Sequence, residues 1–449
     1  RMSRGLGDVY KRQLLIILFL ILLRKGKERS LYLMIGIFFL NDTVRINPFN
    51  SYTLLCIAFF CSLLLHKELK TEWKRFPFKK IMYVLFVIHI LVVLFDPRVS
   101  APLTFLSRIC NNFVPRFLAL FIGYASISTL AVWYKSSKQL ALIFCVMGCY
   151  GFITFILQGN PYDDALHIAF GNDVGIWSEV QSRGYRVLST LNNPIVYGFV
   201  MFIATTYLYL QRDNFSKNVY FCLSLLVFLN VFLANSRTGI VAGVFLLVVY
   251  ALVEYKLSFR LLGYAFSVIL ICCILYQFVP FVQDTADSVL DIFLTGGTKT
   301  EGSNVELKEK QMETSLLYFY LHPYFGSGFN YFREVIVLKD AAASEALAGL
   351  EGYGYKLLVE EGIFMIIAVS WLFLSILWYF LKRLSVKQYS SMGVAWTLSF
   401  LFFIISTGTY GGVFTICMIF IGMLLKYVQI KGQVNKRKNR QTGKMLCIK

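Results

Sequence analysis

Long apolar runs alternate with short polar segments along the chain, and this alternation predicts its architecture. The runs are about 15–22 residues long, which is the length that an α-helix needs to cross roughly 30 Å of hydrocarbon. Such runs predict an all-α polytopic membrane protein with about 12–13 transmembrane helices. The predicted spans are 13–23, 30–46, 49–65, 80–95, 114–133, 139–157, 193–210, 217–234, 239–254, 258–278, 357–381, 390–407 and 411–427.

The connections between these runs alternate in charge. Cytoplasmic loops of membrane proteins carry an excess of lysine and arginine, so the short basic connections and the basic tail are predicted to face the cytoplasm. The intervening connections are acidic or neutral and are predicted to be external. The basic connections are "RKGKERS", "HKELKTEWKRFPFKK", "YKSSKQ", "QRDNFSK", "EYKLSFR" and "LKRLSVK".

Two predicted external connections are long, 158–192 and 279–356. Loops of this length inside a compact domain are usually functional. In the second loop, Ser303 and Glu306 have the spacing of a capping box, which predicts the start of a helix. This helix is predicted to run through "LKEKQMETSLLYFYL" and to stop at His322, because the residue before a proline disfavours helix.

The first residues depart from the pattern. The segment "RMSRGLGDVYKRQ" resembles a translated sequencing-adapter read-through, so residues 1–13 are predicted to be a non-native leader and carry no functional inference. The rest of the chain is predicted to divide into helices 1–10 with the first long loop (14–278), the large external loop with its helices (279–356), helices 11–13 (357–427) and a cytoplasmic tail (428–449).

Composition narrows the class of protein further. Hydrophobic residues make up 57% of the chain and charged residues 15%, whereas soluble domains carry about 25% charged residues. The formal net charge of +19 lies in short loops and the tail, where it sets orientation in the bilayer, so it does not indicate nucleic-acid binding. Most of the ten cysteines fall within apolar runs, which predicts packing roles and no metal site.

The first candidate for chemistry is the segment 182–198. Arg183 and Arg186 there precede a helix that begins at Asn193 and Pro194. Arginines beside a helix N-terminus form an anion site, because guanidinium groups, free N–H groups and the helix dipole all favour negative charge. The alternative is an interfacial helix cap with arginines that extend to the lipid headgroups.

The second candidate is Arg237, in the turn from Asn235 to Gly239 between two apolar runs. This turn falls on the predicted external side, where a positive charge is uncommon. Arg237 is therefore interpreted either as a ligand for a charged substrate or as an arginine that extends to the headgroups.

The third candidate is "HPYFGSGFNYFREV" (322–335) followed by "EGYGYKLLVEEGI" (351–363). Its glycines permit tight turns, and Glu351, Glu360 or Glu361 could accept a proton at an external site. The alternatives are ordinary turn chemistry for the glycines and solvated interfacial acids for the glutamates.

These three segments, in this order and on one predicted face, resemble the O-antigen polymerase and O-antigen ligase superfamily of bacterial envelope glycosyltransferases. The resemblance rests on "RVLSTLNNPIVYG", on "SRTG" at the start of a helix, on "HPYFGSG" after a loop helix and on "YKLLVEEGI" at the next span. It covers roughly residues 120–430 and includes the large predicted loop.

The resemblance implies a metal-independent inverting glycosyltransferase that needs no cofactor. Such enzymes take a glycan joined through diphosphate to a polyprenyl lipid, transfer it to a sugar hydroxyl and release the lipid diphosphate outside the bacterial cytoplasmic membrane. The leaving group is anionic and needs fixed cations, for which guanidinium forks are well suited. On this basis Arg186 and Arg237 are the first candidates to bind the diphosphate, and Arg333 and Arg183 are the next.

The acceptor hydroxyl also needs a general base. In the ligase branch a histidine commonly precedes the re-entering helix; the corresponding position here is Glu351, and His322 is the nearest alternative. The carboxylate favours a polymerase of lipid-linked repeat units for O-antigen, capsule or exopolysaccharide, with a chain-length regulator as an expected partner. A ligase that transfers glycan to lipid A or protein remains an alternative, and so does a flippase or other transporter.

Overall fold

The computed structural model describes residues 2–170, 180–181, 184–255, 305–339, 352–408 and 412–446, together with Gln277, Gln283, Asp287 and Leu347. Helices dominate this part of the chain. In chain order they are α1 (Met2–Leu23), α2 (Gly26–Phe39), α3 (Ser51–Leu65), α4 (Leu69–Arg75), α5 (Lys79–Leu94), α6 (Pro102–Phe113), α7 (Ala119–Ser126), α8 (Leu130–Leu157), α9 (Pro161–Phe170), α10 (Pro194–Leu210), α11 (Lys217–Leu233), α12 (Arg237–Tyr255), α13 (Val305–Phe319), α14 (Tyr353–Leu381), α15 (Lys387–Thr407) and α16 (Val413–Leu446).

Short irregular elements lie between these helices. Two π-helical turns occur, one at Val114–Leu118 between α6 and α7 and one at Phe332–Ile336. Two antiparallel ladders of two residues per strand pair β1 (Arg45–Ile46) with β2 (Phe49–Asn50) and β3 (Val180–Gln181) with β4 (Gly184–Tyr185). Ladders this short do not form a sheet core, so the fold is all-α in its packing.

Six helices in the described residues are long and apolar enough to cross a membrane, judged by length and composition. The number rises to seven if α3 and α4, which are bent by 107° at a short break, count as one span. Two further apolar helices, α10 and α11, are shorter. These helices confirm the prediction of an all-α polytopic membrane protein. Apart from Gln277, the predicted span 258–278 lies outside the described residues.

Several predicted span boundaries are wrong. The spans at 114–133 and 139–157 are replaced by a helical segment at Pro102–Ser126 and by α8, so the predicted basic loop "YKSSKQ" is part of α8. That segment reads as a loop because it is polar, but lysines at a helix end can extend to the headgroups while the backbone stays helical. The predicted span 30–46 ends earlier, because α2 stops at Phe39.

Other elements differ from the predictions at their ends. The loop 158–192 contains α9 and the β3–β4 ladder. The predicted helix in the large loop is confirmed as α13, which ends at Phe319. The last predicted span and the basic tail form one continuous helix, α16.

The centre of the helical bundle is α16. Its residues from Val413 to Val428 are almost all buried, and α7 packs closely along it. Gly123 of α7 and Gly422 of α16 permit this close approach, because an added Cβ on either glycine would collide with the main chain of the other helix.

The described connections lie at two ends of the bundle. One end, here the basic end, joins α2 to α4 through Arg29 and Glu68, and joins α4 to α16 through Glu72 and Lys426. The other end, here the loop end, comprises the connections around residues 40–50, 96–101, 158–170, 184–193, 234–236 and 320–339. The candidate residues that the structure describes lie at the loop end.

Candidate functional site

Two helices begin side by side at the loop end, and each has a capped N-terminus. The side-chain oxygen of Asn193 accepts hydrogen bonds from the main-chain N–H groups of Ile195 (2.8 Å) and Val196 (3.3 Å) at the start of α10. The hydroxyl of Ser236 accepts from the N–H of Gly239 (3.1 Å) at the start of α12. Both sequences supply the residue types that favour helix initiation, namely Asn before Pro and Ser before the first turn.

The segments that precede these two helix starts are hydrogen-bonded to each other, and they carry Arg186 and Arg237. The main-chain N–H of Val187 donates to the carbonyl of Leu233 at 3.1 Å. Arg186 directly precedes Val187, and Arg237 is the first residue of α12, four residues after Leu233. Arg186 is buried and Arg237 half-buried. The structure thus joins the first two candidate segments into one arginine junction, defined as Arg186, Arg237 and the two capped helix starts.

The segment that carries Arg186 is fixed by hydrogen bonds on three sides. The hydroxyl of Ser189 donates to the carbonyl of Met147 (2.8 Å), and the amide of Asn160 donates to the carbonyl of Ser189 (2.8 Å). The hydroxyl of Thr190 donates to the carbonyl of Phe38 (2.7 Å). Because α2 and α8 both hold it, this segment positions the arginine junction rigidly.

Asp42 borders the arginine junction in the turn that follows α2. Asn192 donates a side-chain hydrogen bond to its carboxylate at 2.5 Å. Burial raises the pKa of the Asp42 carboxyl to about 6, and hydrogen bonds from the main chain and from Asn192 act in the opposite direction. Asp42 therefore has a pKa above the usual range of an aspartate, next to the start of α10.

The loop after α13 inserts into a break in α14. Gly362 has φ 76° and interrupts the helix there. The N–H of Ser327 donates to the carbonyl of Val359 (2.8 Å), and the N–H of Ile363 donates to the carbonyl of Pro323 (2.9 Å). The loop thus provides the main-chain hydrogen bonds that α14 loses at its break.

Three glycines make this insertion sterically feasible. An added Cβ would collide with the main chain of Glu360 at Gly326, with the main chain of Tyr324 at Gly362, and with the side chain of Asp96 at Gly328. All three glycines also have positive φ, which other residues adopt only with strain. Plain turn chemistry does not account for the "GSG" segment, because the close approach to α14 requires glycine as well.

Four charged residues fix the part of this loop around Phe329. They are Asp96, Arg98, Arg108 and Glu334, and they are called the Asp96 network. The Asp96 carboxylate accepts from Arg98 (2.8 and 2.9 Å) and Arg108 (2.6 Å), and Glu334 accepts from the same two arginines (3.1 and 3.0 Å). Both arginines also donate to the carbonyl of Phe329. The network ties the loop after α13 to the α5–α6 connection.

A buried ion pair lies close to this network. Arg116, on the π-helical turn between α6 and α7, forms an ion pair with Glu361 directly before the break in α14. The imidazole Nε2 of His89 lies 3.7 Å from the other Glu361 oxygen, and Glu360 accepts from the N–H of Phe332 (3.3 Å). Glu360 and Glu361 are each only 1% exposed. Neither glutamate is therefore the solvated interfacial acid considered as an alternative.

The remaining candidate residues have different surroundings. Arg333 is exposed on the second π-helical turn, next to Glu334 of the Asp96 network. His322 is exposed in the turn after α13, and its carbonyl accepts from the N–H of Gly326 (3.0 Å). Arg183 and Glu351 lie outside the described residues. Arg186 and Arg237 are therefore the candidate pair whose segments the structure brings into direct contact.

Sequence reasoning missed most of the charges that organise the loop end. Asp96, Arg98 and Arg108 fall in a connection that reads as an ordinary external loop, and His89 and Arg116 fall within predicted spans. A charged side chain inside an apolar span costs free energy and is usually retained for a role. Arg116, within the predicted span 114–133, was the sequence signal for this group of charges. Within the described residues, no group of three or more His, Cys, Asp or Glu side chains is arranged to hold a metal ion.

The fold defines a multi-pass membrane protein. The arginine junction, the Asp96 network and the Arg116–Glu361 pair all lie towards the loop end of its bundle. Residues 222–349 match the Wzy_C family model, described as O-Antigen ligase. This match confirms the resemblance over that segment, which is 128 of the 449 residues (349 − 222 + 1). Members of the matching family are glycan-transferring enzymes. The matched segment includes Arg237, His322 and Arg333, whereas Arg186 precedes it. No curated protein matches the chain.

Proposed function

We propose that this protein polymerises oligosaccharide repeat units carried on polyprenyl diphosphate, as a step in the synthesis of O-antigen, capsule or exopolysaccharide. One observation supports the proposal: the main-chain hydrogen bond between Val187, which follows Arg186, and Leu233, at the end of the helix before Arg237. Guanidinium groups and helix N-termini both favour bound anions, so the arginine junction suits a diphosphate.

The chemistry follows from the leaving group. The acceptor hydroxyl oxygen attacks the anomeric carbon from the face opposite the diphosphate, the new glycosidic bond forms, and the bond from carbon to the phosphate oxygen breaks. The lipid diphosphate then leaves with the bonding electron pair, and Arg186 and Arg237 stabilise the negative charge that develops on it. Arg333 and Arg183 are proposed as further diphosphate ligands. No metal or other cofactor takes part in this scheme.

The hydroxyl proton has to pass to a base as the new bond forms. Glu351 is proposed for this role on sequence position, with His322 as the alternative. His322 is accessible in the turn after α13, in the same loop that contacts α14 through Ser327. Glu360 and Glu361 are less suited, because both are buried and Glu361 is already paired with Arg116.

The site is proposed to face outward from the bacterial cytoplasmic membrane. The basic connections gather at the opposite end of the bundle through Arg29, Arg75 and Lys426. Because cytoplasmic loops are enriched in lysine and arginine, the basic end is assigned to the cytoplasm and the loop end to the outer face. A lipid-linked donor in the outer leaflet would then reach the arginine junction with its diphosphate at headgroup level.

A ligase that transfers the glycan to lipid A or to a protein is the second candidate. The description of the matching family model favours it. The two activities use the same donor and differ in the acceptor, which is either the growing glycan itself or a foreign molecule.

The experiment that tests the proposal supplies the purified full-length protein with lipid-linked repeat units alone. A ladder of products with increasing numbers of repeats is expected from a polymerase. If no product forms until lipid A or a protein acceptor is added, the protein is a ligase. If neither acceptor gives product while labelled donor crosses the bilayer of reconstituted vesicles, the enzyme assignment is wrong.

A further inference from the structure

An apolar cavity of about 540 Å³ opens near the basic end, far from the arginine junction. Its walls come from α3, α4, α5 and the α6–π-helix segment, and include Phe60, Trp73, Phe86 and Phe113. The volume is in the range of sites that hold a small molecule or one lipid chain, about 300–1,000 Å³. Tyr83 and Phe86 at its edge are 57% and 39% exposed, so the cavity opens along the bundle surface that faces lipid.

The depth of the cavity corresponds to one leaflet of a bilayer. Its lining residues on α6 and the following π-helical turn run from Cys110 to Leu118, which is a rise of about 12 Å. The hydrocarbon of one leaflet is about 15 Å thick, half of the whole core. At the basic end the chain bends by 107° from α3 into α4, so that α4 closes the cavity on that side. A chain that enters from the leaflet at the basic end therefore fits the cavity.

The rim of the cavity is basic and aromatic. Lys70 is the charged residue among the side chains that line it, and the indole N–H of Trp73 donates to the hydroxyl of Tyr83 at 2.8 Å. Trp and Tyr in such positions are typical of the level of the lipid headgroups. Exposed lysines surround this pair at positions Lys67, Lys70, Lys74 and Lys80.

The acidic residues of the same segment do not neutralise these lysines, because other helices use them. Glu68 pairs with Arg29 of α2 at 2.6 Å, and Glu72 pairs with Lys426 of α16. Lys70 and Lys74 are one helical turn apart on α4, so their charges lie on one side of it. The segment thus presents positive charge directly above an apolar cavity.

We propose that this cavity binds an anionic phospholipid, with one acyl chain among Phe60, Phe86 and Phe113 and the phosphate group near Lys70 and Lys74. The apolar depth and the basic rim together match a lipid of this class. The occupant is distinct from the polyprenyl donor, because the donor's diphosphate is assigned to the opposite end of the bundle. The site goes beyond the proposed function, and only the distinction from the donor lipid rests on that function.

Native mass spectrometry of the delipidated full-length protein tests the proposal. Phosphatidylglycerol and phosphatidylcholine with identical acyl chains are titrated separately, and retention of one phosphatidylglycerol with at least about fivefold tighter binding is expected, since each lysine contributes about that factor near a charged lipid. In the variant K70Q/K74Q, phosphatidylglycerol should bind no better than phosphatidylcholine. The control K135Q/K138Q, which alters two exposed lysines on α8, should leave the preference unchanged.

A second pair of variants tests the cavity itself. Ile57→Trp fills it and should abolish retention of both lipids, whereas Leu142→Trp, at a 65% exposed position on α8, should not. Equal retention of the two lipids by the wild-type protein would overturn the proposal, and so would equal effects of the two lysine pairs. Displacement of phosphatidylglycerol by equimolar polyprenyl phosphate would assign the cavity to the donor lipid instead. If Ile57→Trp does not fold, the comparison of K70Q/K74Q with K135Q/K138Q still tests whether the cavity binds an anionic lipid.

Discussion

Val187 donates its main-chain N–H to the carbonyl of Leu233, the last residue of α11. Val187 follows Arg186, and Arg237 begins the next helix, α12. Forty-six residues separate Val187 from Leu233 along the chain (233 − 187). Ser189 and Thr190 attach the same segment to α8 and α2. Arg186 is thus held by a rigid scaffold and not by a free loop, which is the arrangement expected for stabilisation of a developing charge.

Replacement of Arg186 or Arg237 by alanine should lower the rate of glycan transfer by about 10²–10³-fold, the usual loss when one fixed donor to a developing anion is removed. Lysine at either position should restore only part of the rate, because it keeps the charge but lacks the planar fork. The measurement is product formation from lipid-linked repeat units by purified variants with normal elution on size-exclusion chromatography.

Arg45→Ala provides the matched control for this prediction, since Arg45 is an exposed arginine at the same end of the bundle. It should change the rate less than about threefold, as surface substitutions generally have small effects. Equal losses in Arg45→Ala and Arg237→Ala would contradict a specific diphosphate site at the arginine junction.

Gly362→Ala should destabilise the protein, because the new methyl group would collide with the main chain of Tyr324 and the residue has φ 76°. A strained backbone of this kind costs about 1–3 kcal/mol before the collision is counted. The measurement is the thermal unfolding midpoint in detergent. Gly354→Ala is the control in the same helix, since an added Cβ there meets nothing within 4 Å. Equal midpoints for the two variants would show that the loop insertion is not required for stability.

The presence of long apolar helices and of the helix α13 could be predicted from the sequence because length, apolar runs and capping signals are local, although several helix ends could not. Arg237 and Arg186 could be proposed for the same reason, since each stands beside a helix start. Their contact could not be derived, because it depends on main-chain hydrogen bonds between distant segments. The Asp96 network was missed for a similar reason: Asp96 and Glu334 acquire their shared partners only when the loop after α13 folds onto α5 and α6.

Asp42→Asn should flatten the pH dependence of stability. Burial raises the Asp42 pKa from 3.8 to about 6, so the folded state takes up a proton before the unfolded state does as the pH falls. The stability of the wild type should therefore gain a contribution as the pH decreases from about 7 to about 4, and the variant should lack it. Asn41→Ala, in the same turn, is the control, because it removes a side chain that does not titrate and keeps Asp42. The comparison uses unfolding midpoints at several pH values, and parallel curves for Asp42→Asn and wild type would contradict the raised pKa.

Glu361→Gln should destabilise the protein strongly, because it leaves Arg116 buried without its charged partner. Loss of one member of a buried pair typically costs about 3–5 kcal/mol. The change should appear as a lower unfolding midpoint in detergent and as a smaller folded fraction on size-exclusion chromatography. The double variant Arg116→Met with Glu361→Met should recover part of the loss, because it removes both buried charges together.

The exposed pair of Arg24 and Glu28 is the control for this last prediction. Its side chains are 53% and 46% exposed and lie 3.3 Å apart, so Glu28→Gln should cost less than about 1 kcal/mol. If Glu28→Gln and Glu361→Gln lower the midpoint equally, the pair with Arg116 does not stabilise the break in α14. If the double variant is less stable than either single variant at positions 116 and 361, the packing of these side chains matters more than their charges.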